Sequence, residues 1–343
     1  MAGSSPRAVI FGLSGPSLQA AEREFFAQCD PLGFILFARN CVDPAQVRTL
    51  VGELRACVGR PGAMVLIDQE GGRVQRLKPP HWRAAPPAEV FGRLCERDEA
   101  GAVEAAWLNG RLLAADLAPL GIDVDCAPVL DVRQPDGHAI IGDRAFAARP
   151  ERVALLARAT CSGLLAGGVL PVIKHIPGHG RATLDSHEAL PVVDAPRDVL
   201  EHVDFPAFAA LADMPIAMTA HVVYAAIDPD APATTSATVV RRVIRGAIGF
   251  DGLLLSDDLC MRALAGRPAE RATAALAAGC DVLLHCNGVL ADMDEVAGAC
   301  TPLSYAACLR LARAEEMRTP PQPFDAAVAA QRLAELLGTG VSA

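Results

Sequence analysis

Carboxylates, cations and imidazoles recur in this sequence where short apolar runs end. The run AMVLID closes on Asp68-Gln69-Glu70-Gly71-Gly72-Arg73, LPVIKH on Lys174-His175, PIAMTAH on His221, and GLLLSDD on Asp257-Asp258. Arg144 stands in a connecting segment after a further run, GIDVDCAPV. A structural protein has no reason to gather charged groups at the same end of so many runs. A site built from several strand ends does.

The densest stretch is Lys174-His175-Ile176-Pro177-Gly178-His179-Gly180, followed by Asp185-Ser186-His187. Proline and glycine forbid regular structure here, so it reads as a loop beside a strand end. Two chemistries suit it. His175, His179, His187 and His221 supply enough imidazoles for a zinc ion. Alternatively, Asp185 orients and supports the imidazole of His187 as a proton-transfer dyad, which needs no metal and no cofactor. The plain alternative is that these histidines only hydrogen-bond within their loop. Asp68 likewise has a plain reading as a turn former before Gly-Gly, and Arg76, Arg144 and Lys174 as ordinary ion pairs.

The elements that must position these groups are legible from patterning. Eight β-branched apolar runs (AVIFGL, GFILFA, AMVLID, GIDVDCAPV, LPVIKH, PIAMTAH, GLLLSD and CDVLLHC) alternate with segments of helical spacing. After Asp43-Pro44, a capping residue followed by proline at the first helical position, Val47, Leu50, Val51, Leu54 and Val58 fall on one face. Strict alternation calls for parallel strands with right-handed crossovers, and eight units close a barrel. The expectation is an α/β fold, a single (β/α)8 TIM-type barrel over residues 1–343. An open doubly wound sheet is the alternative, but FGLSGPS after the first run is not the glycine-rich phosphate turn that fold uses. The tail from Thr319 opens with TPPQP and resumes helical spacing through Val328, Leu333 and Leu337, so 319–343 reads as a closing helix.

Composition excludes several partner classes. A net charge of −9 and a pI near 5.4 repel nucleic acid and anionic membranes. The hydrophobic fraction of 52% with only 4% aromatic residues suits small and branched side chains packed between helices and sheet. The 11 cysteines form no CxxC pair and read as reduced core residues of a cytoplasmic protein. The apolar stretch Ala8–Leu13 is too short for a signal-peptide core, and Val153–Ile173 carries Arg158 and internal glycines, so neither targets a membrane. A monomer acting on a small molecule is expected.

Several motifs, in one order, resemble the β-N-acetylglucosaminidases of glycoside hydrolase family 3, the group that acts in bacterial cell-wall recycling. They are DQEGGRVQR from Asp68 to Arg76, APVLDV from Ala127, IGDR ending at Arg144, KHIPGHG from Lys174, DSH from Asp185 to His187, GFDG from Gly249, and SDDLCM from Ser256 to Met261. The resemblance covers most of the chain and implies a (β/α)8 barrel. It further implies Asp257 as nucleophile, His187 as acid/base and Asp185 as its support. Asp68, Arg76, Arg144, Lys174 and His175 would then bind sugar. The implied substrate is a saccharide or muropeptide with a terminal β-linked N-acetylglucosamine on an anhydro-muramic unit. Ile176, Ala145 and Cys260 depart from the Phe, Ser and Ser common in the family, none at a catalytic position.

The chemistry is coherent on its own terms. A retaining glycosidase needs an attacking carboxylate and a proton donor that later serves as base. An imidazole, with a reference pKa of about 6.5 against about 4.3 for Glu, exchanges protons near neutrality without heavy desolvation. A phosphorylase of the same family, a histidine-based metal hydrolase and a silent sugar-binding protein are the competing readings. Glu70, Asp131, His179, His221 and Asp258 carry no assigned chemical role, and the His187 nitrogen that faces substrate is not given by sequence.

Overall fold

Eight short parallel strands close into a barrel in the computed structural model, which describes residues 5–339; residues 1–4 and 340–343 of the expected unit lie outside the described residues. The strands are β1 (Arg7–Phe11), β2 (Pro31–Leu36), β3 (Met64–Ile67), β4 (Val124–Asp125), β5 (Leu170–Ile176), β6 (Ile216–Thr219), β7 (Leu253–Asp258) and β8 (Val282–His285). Each pairs with its neighbour in sequence. The ring is closed by β8 on β1, with Val9 opposite Leu283 and Phe11 opposite His285. Each of the eight apolar runs supplies one barrel strand, so the fold is the expected (β/α)8 barrel.

The runs are continuously apolar because both strand faces are covered. Ala8, Ile10, Met64, Leu66, Leu170, Val172, Leu253 and Leu255 fill the barrel interior. Their alternates Val9, Phe11, Val65 and Ile67 face outward against helices. This period of two carries beyond the strand ends. Residues 68, 70, 174 and 257 continue the inward-facing rows, which is why their polar side chains reach the barrel mouth.

Helix Pro44–Cys57 starts as expected. Asp43 accepts N–H bonds from Ala45 and Gln46 at 2.8 and 2.9 Å, Pro44 occupies the first turn, and Val47, Leu50, Val51 and Leu54 are buried. After β3 the chain turns through a hairpin, Gln69–Gly71 with Val74–Gln75. Gly71 and Gly72 have φ of 103° and 57°, and a Cβ on Gly71 would collide with the Pro86 carbonyl. The tail forms helix Ala326–Leu337 on the helix Glu99–Leu117, tied by Arg332 to Glu104 at 2.8 and 2.9 Å. Its buried residues are Ala329 and Leu333, while Val328 is exposed. Leu333 and Leu337 thus face the core as read in sequence, and only the first position differs, with Ala329 inward in place of Val328. Among the described residues no helix is long and apolar enough to cross a membrane.

Candidate active site

At the carboxyl end of the strands lies a pocket of about 220 Å³. Its wall includes Asp68, Glu70, Arg76, Arg144, Lys174, His175, His179, Ser186, His187 and Asp257. Seven of the eight residues picked from sequence as catalytic or sugar-binding therefore line it, and Asp185 stands behind His187.

The floor is an ion lattice. Lys174 Nζ donates to Asp68 Oδ1 at 2.9 Å and to Glu70 Oε1 at 2.7 Å. Arg76 Nη2 meets Asp68 Oδ2 at 2.9 Å. Arg144 grips Glu70 with two parallel bonds of 2.8 Å, the bidentate geometry that favours guanidinium over ammonium. Burial alone would push these carboxyls up. The Lys174 and Arg76 charges overcome it at Asp68 and hold that group far below the ordinary range, while Arg144 and Lys174 hold Glu70 down at about 2. For Lys174, burial favours loss of the proton, but Asp68 and Glu70 more than offset it and raise its pKa. All members are charged at neutral pH. They form a fixed array of donors and acceptors, the chemistry that hydroxyl and amide groups match.

Below the lattice, fully buried Asp125 accepts the Gln69 N–H at 3.0 Å, while its other carboxyl oxygen has no partner. Burial pushes this carboxyl well up, which keeps a third negative charge out of the floor. Gln69 in turn pins the hairpin: its side-chain oxygen accepts from the N–H groups of Arg76 and Leu77 at 2.9 and 3.0 Å. Arg76 is further held over the Phe37 ring, 5.2 Å from its centroid.

On the next wall, Asp131 accepts from His175 at its ring Nδ1 (2.7 Å) and from the backbone N–H of His179 (2.6 Å). Burial opposes ionisation of Asp131, but His175 dominates and holds it at about 2. His179 is buried with Nε2 3.3 Å from Ser186 Oγ, and burial takes its pKa down to about 4. His221 has both ring nitrogens engaged, with Thr234 Oγ1 at 2.7 Å and the Asp258 carbonyl at 2.9 Å. The imidazoles thus turn to separate partners, and among the described residues no three of His, Cys, Asp and Glu are grouped to hold a metal ion.

Asp257 is the penultimate residue of β7, and its Oδ1 accepts the Asp258 N–H at 2.8 Å. Burial would raise this carboxyl, but His221, His175 and the Asp258 amide leave it below the ordinary value, so it is ionised. Asp258 also lines the pocket, but its carboxylate is taken up by the Cys260 and Cys286 N–H groups at 2.9 and 3.1 Å, and so braces the loops after β7 and β8. Cys260, one of the departures from the family pattern, has its sulfur 3.4 Å from His285 Nδ1.

His187 contrasts with the floor: its side chain is 61% exposed. Asp185 Oδ1 accepts both its N–H at 2.9 Å and its ring Nδ1–H at 2.8 Å. Nε2 is left as the nitrogen available to a ligand.

Glu70 and Asp131, left without a chemical role by the sequence, acquire specific structural partners, and Gln69 emerges as a further structural residue. For Glu70 a signal existed, since two residues beyond Asp68 on an extended chain it faces the same side. Asp131 accepts backbone N–H bonds from His175 and His179, as a buried barrel aspartate does, with partners 44 and 48 residues away.

A closed parallel barrel with ionised groups converging at its carboxyl mouth has the architecture of a (β/α)8 enzyme. Comparison with known proteins specifies which kind. Residues 9–308 match the glycosyl hydrolase family 3 N terminal domain. The chain is 42% identical over 283 residues to a beta-hexosaminidase of Alkalilimnicola ehrlichii, covering 81% of this chain and 80% of that one. It is 38% identical over 326 residues to a beta-hexosaminidase of Aromatoleum aromaticum, covering 92% and 88%. Among solved structures it resembles NagZ from Neisseria gonorrhoeae in complex with N-trifluoroacetyl-D-glucosamine, with a TM-score of 0.88, 34% identity, and coverage of 98% and 100%. The chain belongs to glycosyl hydrolase family 3.

Proposed function

We propose that this glycoside hydrolase is a retaining exo-β-N-acetylglucosaminidase that removes a terminal β-linked N-acetylglucosamine by way of a covalent glycosyl-Asp257 intermediate. The observation that carries the reading is the pairing of an ionised Asp257 in the pocket wall with an exposed imidazole whose Nδ1 is held by Asp185 and whose Nε2 is free. In the first step Asp257 attacks the anomeric carbon as the glycosidic bond breaks, and His187 Nε2–H gives its proton to the departing oxygen. In the second, neutral His187 takes a proton from water, which displaces Asp257. Asp185 supports the imidazolium and fixes its tautomer. Asp68, Arg76, Arg144, Lys174 and His175 hold the sugar's hydroxyl and amide groups.

The pocket is smaller than the roughly 300–1,000 Å³ usual for drug-sized ligands, which favours one sugar residue bound end-on. The beta-hexosaminidase relatives and the N-trifluoroacetyl-D-glucosamine complex of the similar NagZ point to the N-acetylhexosamine class. We read the substrate as a muropeptide fragment carrying an anhydro-muramic unit, cleaved in the cytoplasm by a monomer during peptidoglycan recycling.

A 2-deoxy-2-fluoro glucosyl donor with a good leaving group, its fluorine standing where the substrate has the acetamido group, should label Asp257, detected by peptide mass mapping. A label on Asp258 or Glu70 would overturn the assignment. Product analysis with and without inorganic phosphate should give free sugar in both, and a sugar 1-phosphate would make the enzyme a phosphorylase.

A further inference from the structure

The stretch 183–190 carries the Asp185–His187 pair between two fixed points. Upstream, Arg181 Nε donates to Asp204 at 2.6 Å and the His138 N–H to the Ala182 carbonyl at 2.8 Å. Downstream, the Val223 N–H donates to the Pro191 carbonyl at 3.0 Å. Between them two hydrogen bonds leave the stretch, and Ser186 makes both. Its Oγ meets His179 Nε2 at 3.3 Å, and its carbonyl accepts the Ala263 N–H at 3.2 Å. Ser186 is buried while its neighbour His187 is exposed, so the loop is pinned at one residue and presents the next.

The anchor is itself rigid. Asp131 holds the His179 backbone, and burial keeps the ring neutral, able to exchange a hydrogen bond with a hydroxyl without creating a charge. A bond of 3.3 Å is at the long end for a hydrogen bond, so it positions the loop without locking it.

We propose that Ser186 is a positioning residue for the proton donor: its hydroxyl on His179 and its carbonyl on the Ala263 N–H form a latch that sets His187 at the pocket wall. The proposal rests on His187 as acid/base. Opening the latch withdraws the imidazole while leaving Asp257 and the ion lattice in place.

A structural weakening would slow all substrates alike. Withdrawal of a proton donor instead penalises poor leaving groups, which depend on protonation, and spares those that leave unaided. The experiment measures kcat and KM of wild type, Ser186→Ala, His179→Ala, the double variant and His187→Ala on aryl β-N-acetylglucosaminides of graded leaving-group acidity. Ser186→Ala should lose roughly tenfold in kcat/KM on the poorest leaving groups, the scale of one hydrogen bond, and under about twofold on the dinitrophenyl glycoside. The double variant should be no worse than the worse single, because one pair is being broken. Equal losses across the series, no loss, or additive losses overturn the latch. A steep dependence in His187→Ala alone overturns the latch and leaves the donor assignment standing. A flat series in His187→Ala overturns the donor assignment, and the latch falls with it.

Discussion

The pocket floor and the loop above it solve opposite problems with the same residue types. On the floor, Asp68 and Glu70 are paired with Lys174, Arg76 and Arg144 at 2.7–2.9 Å, and Lys174 is buried. On the loop, Asp185 and His187 also form a short pair, but the imidazole stands largely in solvent. A buried charge pair is held by the cost of leaving either member alone, so it fixes a shape. An exposed pair carries little energy, so it can move and exchange protons with water. Under the proposed function, rigid recognition and mobile proton transfer are thereby separated in one 220 Å³ site.

The sharpest way to break this contrast is at His187. His187→Ala should lower turnover of sugar aglycones by about 10²–10⁴-fold, the usual contribution of a positioned acid/base, with thermal stability unchanged. A dinitrophenyl glycoside should instead show a burst of dinitrophenol followed by slow turnover that azide accelerates, and Asp185→Ala a milder form. Equal losses on both substrates without azide rescue would return His187 to a holding role and erase the contrast.

The floor should respond in the other currency. Lys174→Met removes the cation shared by Asp68 and Glu70, leaving two buried carboxylates short of a partner. Chemical denaturation should report a loss of about 3–5 kcal/mol, the scale for breaking a buried pair. A variant as stable as wild type would mean that Arg76 and Arg144 suffice and that Lys174 is retained for substrate alone.

The smallest effect lies where the regions meet. His179 is held at about 4 against the usual 6.5, so the unfolded chain takes up a proton there first as pH falls. Its contribution is full above about pH 6.5 and is lost progressively down to about pH 4. Glu70 and Asp131, held at about 2, contribute above the ordinary carboxylate pKa and lose that contribution only as pH falls from there toward 2. Buried Asp204, raised to about 6, acts in the opposite sense over the same range, so the test is differential: the midpoint gap between wild type and His179→Ala should change as pH falls from about 6.5 to 4 and hold steady below that. A gap that does not change between pH 6.5 and 4 would show that His179 titrates normally.

The barrel was legible because parallel strands buried on both faces leave unbroken apolar runs that few other structures produce. The strand-end rule then located Asp68, Lys174 and Asp257. What escaped was pairing across the mouth. Glu70 finds Arg144 across 74 residues, and His175 finds Asp131 across 44, through adjacency that only the closed sheet creates. The tail helix was legible as a helix and in its facing at Leu333 and Leu337, but not at its first turn, since Ala329 against Val328 is decided by how closely two backbones approach.

The pairing of β8 with β1 has a consequence during synthesis. Seven of the eight strand junctions join neighbours along the chain, whereas Val9 waits for Leu283. At about 5–20 residues per second the ribosome takes roughly 15–50 s to deliver that partner, and meanwhile the emerging sheet keeps an unpaired edge on β1. The last-made strand seals the seam, so a ribosome stalled before residue 283 releases a sheet with two exposed edges, prone to pair with other chains.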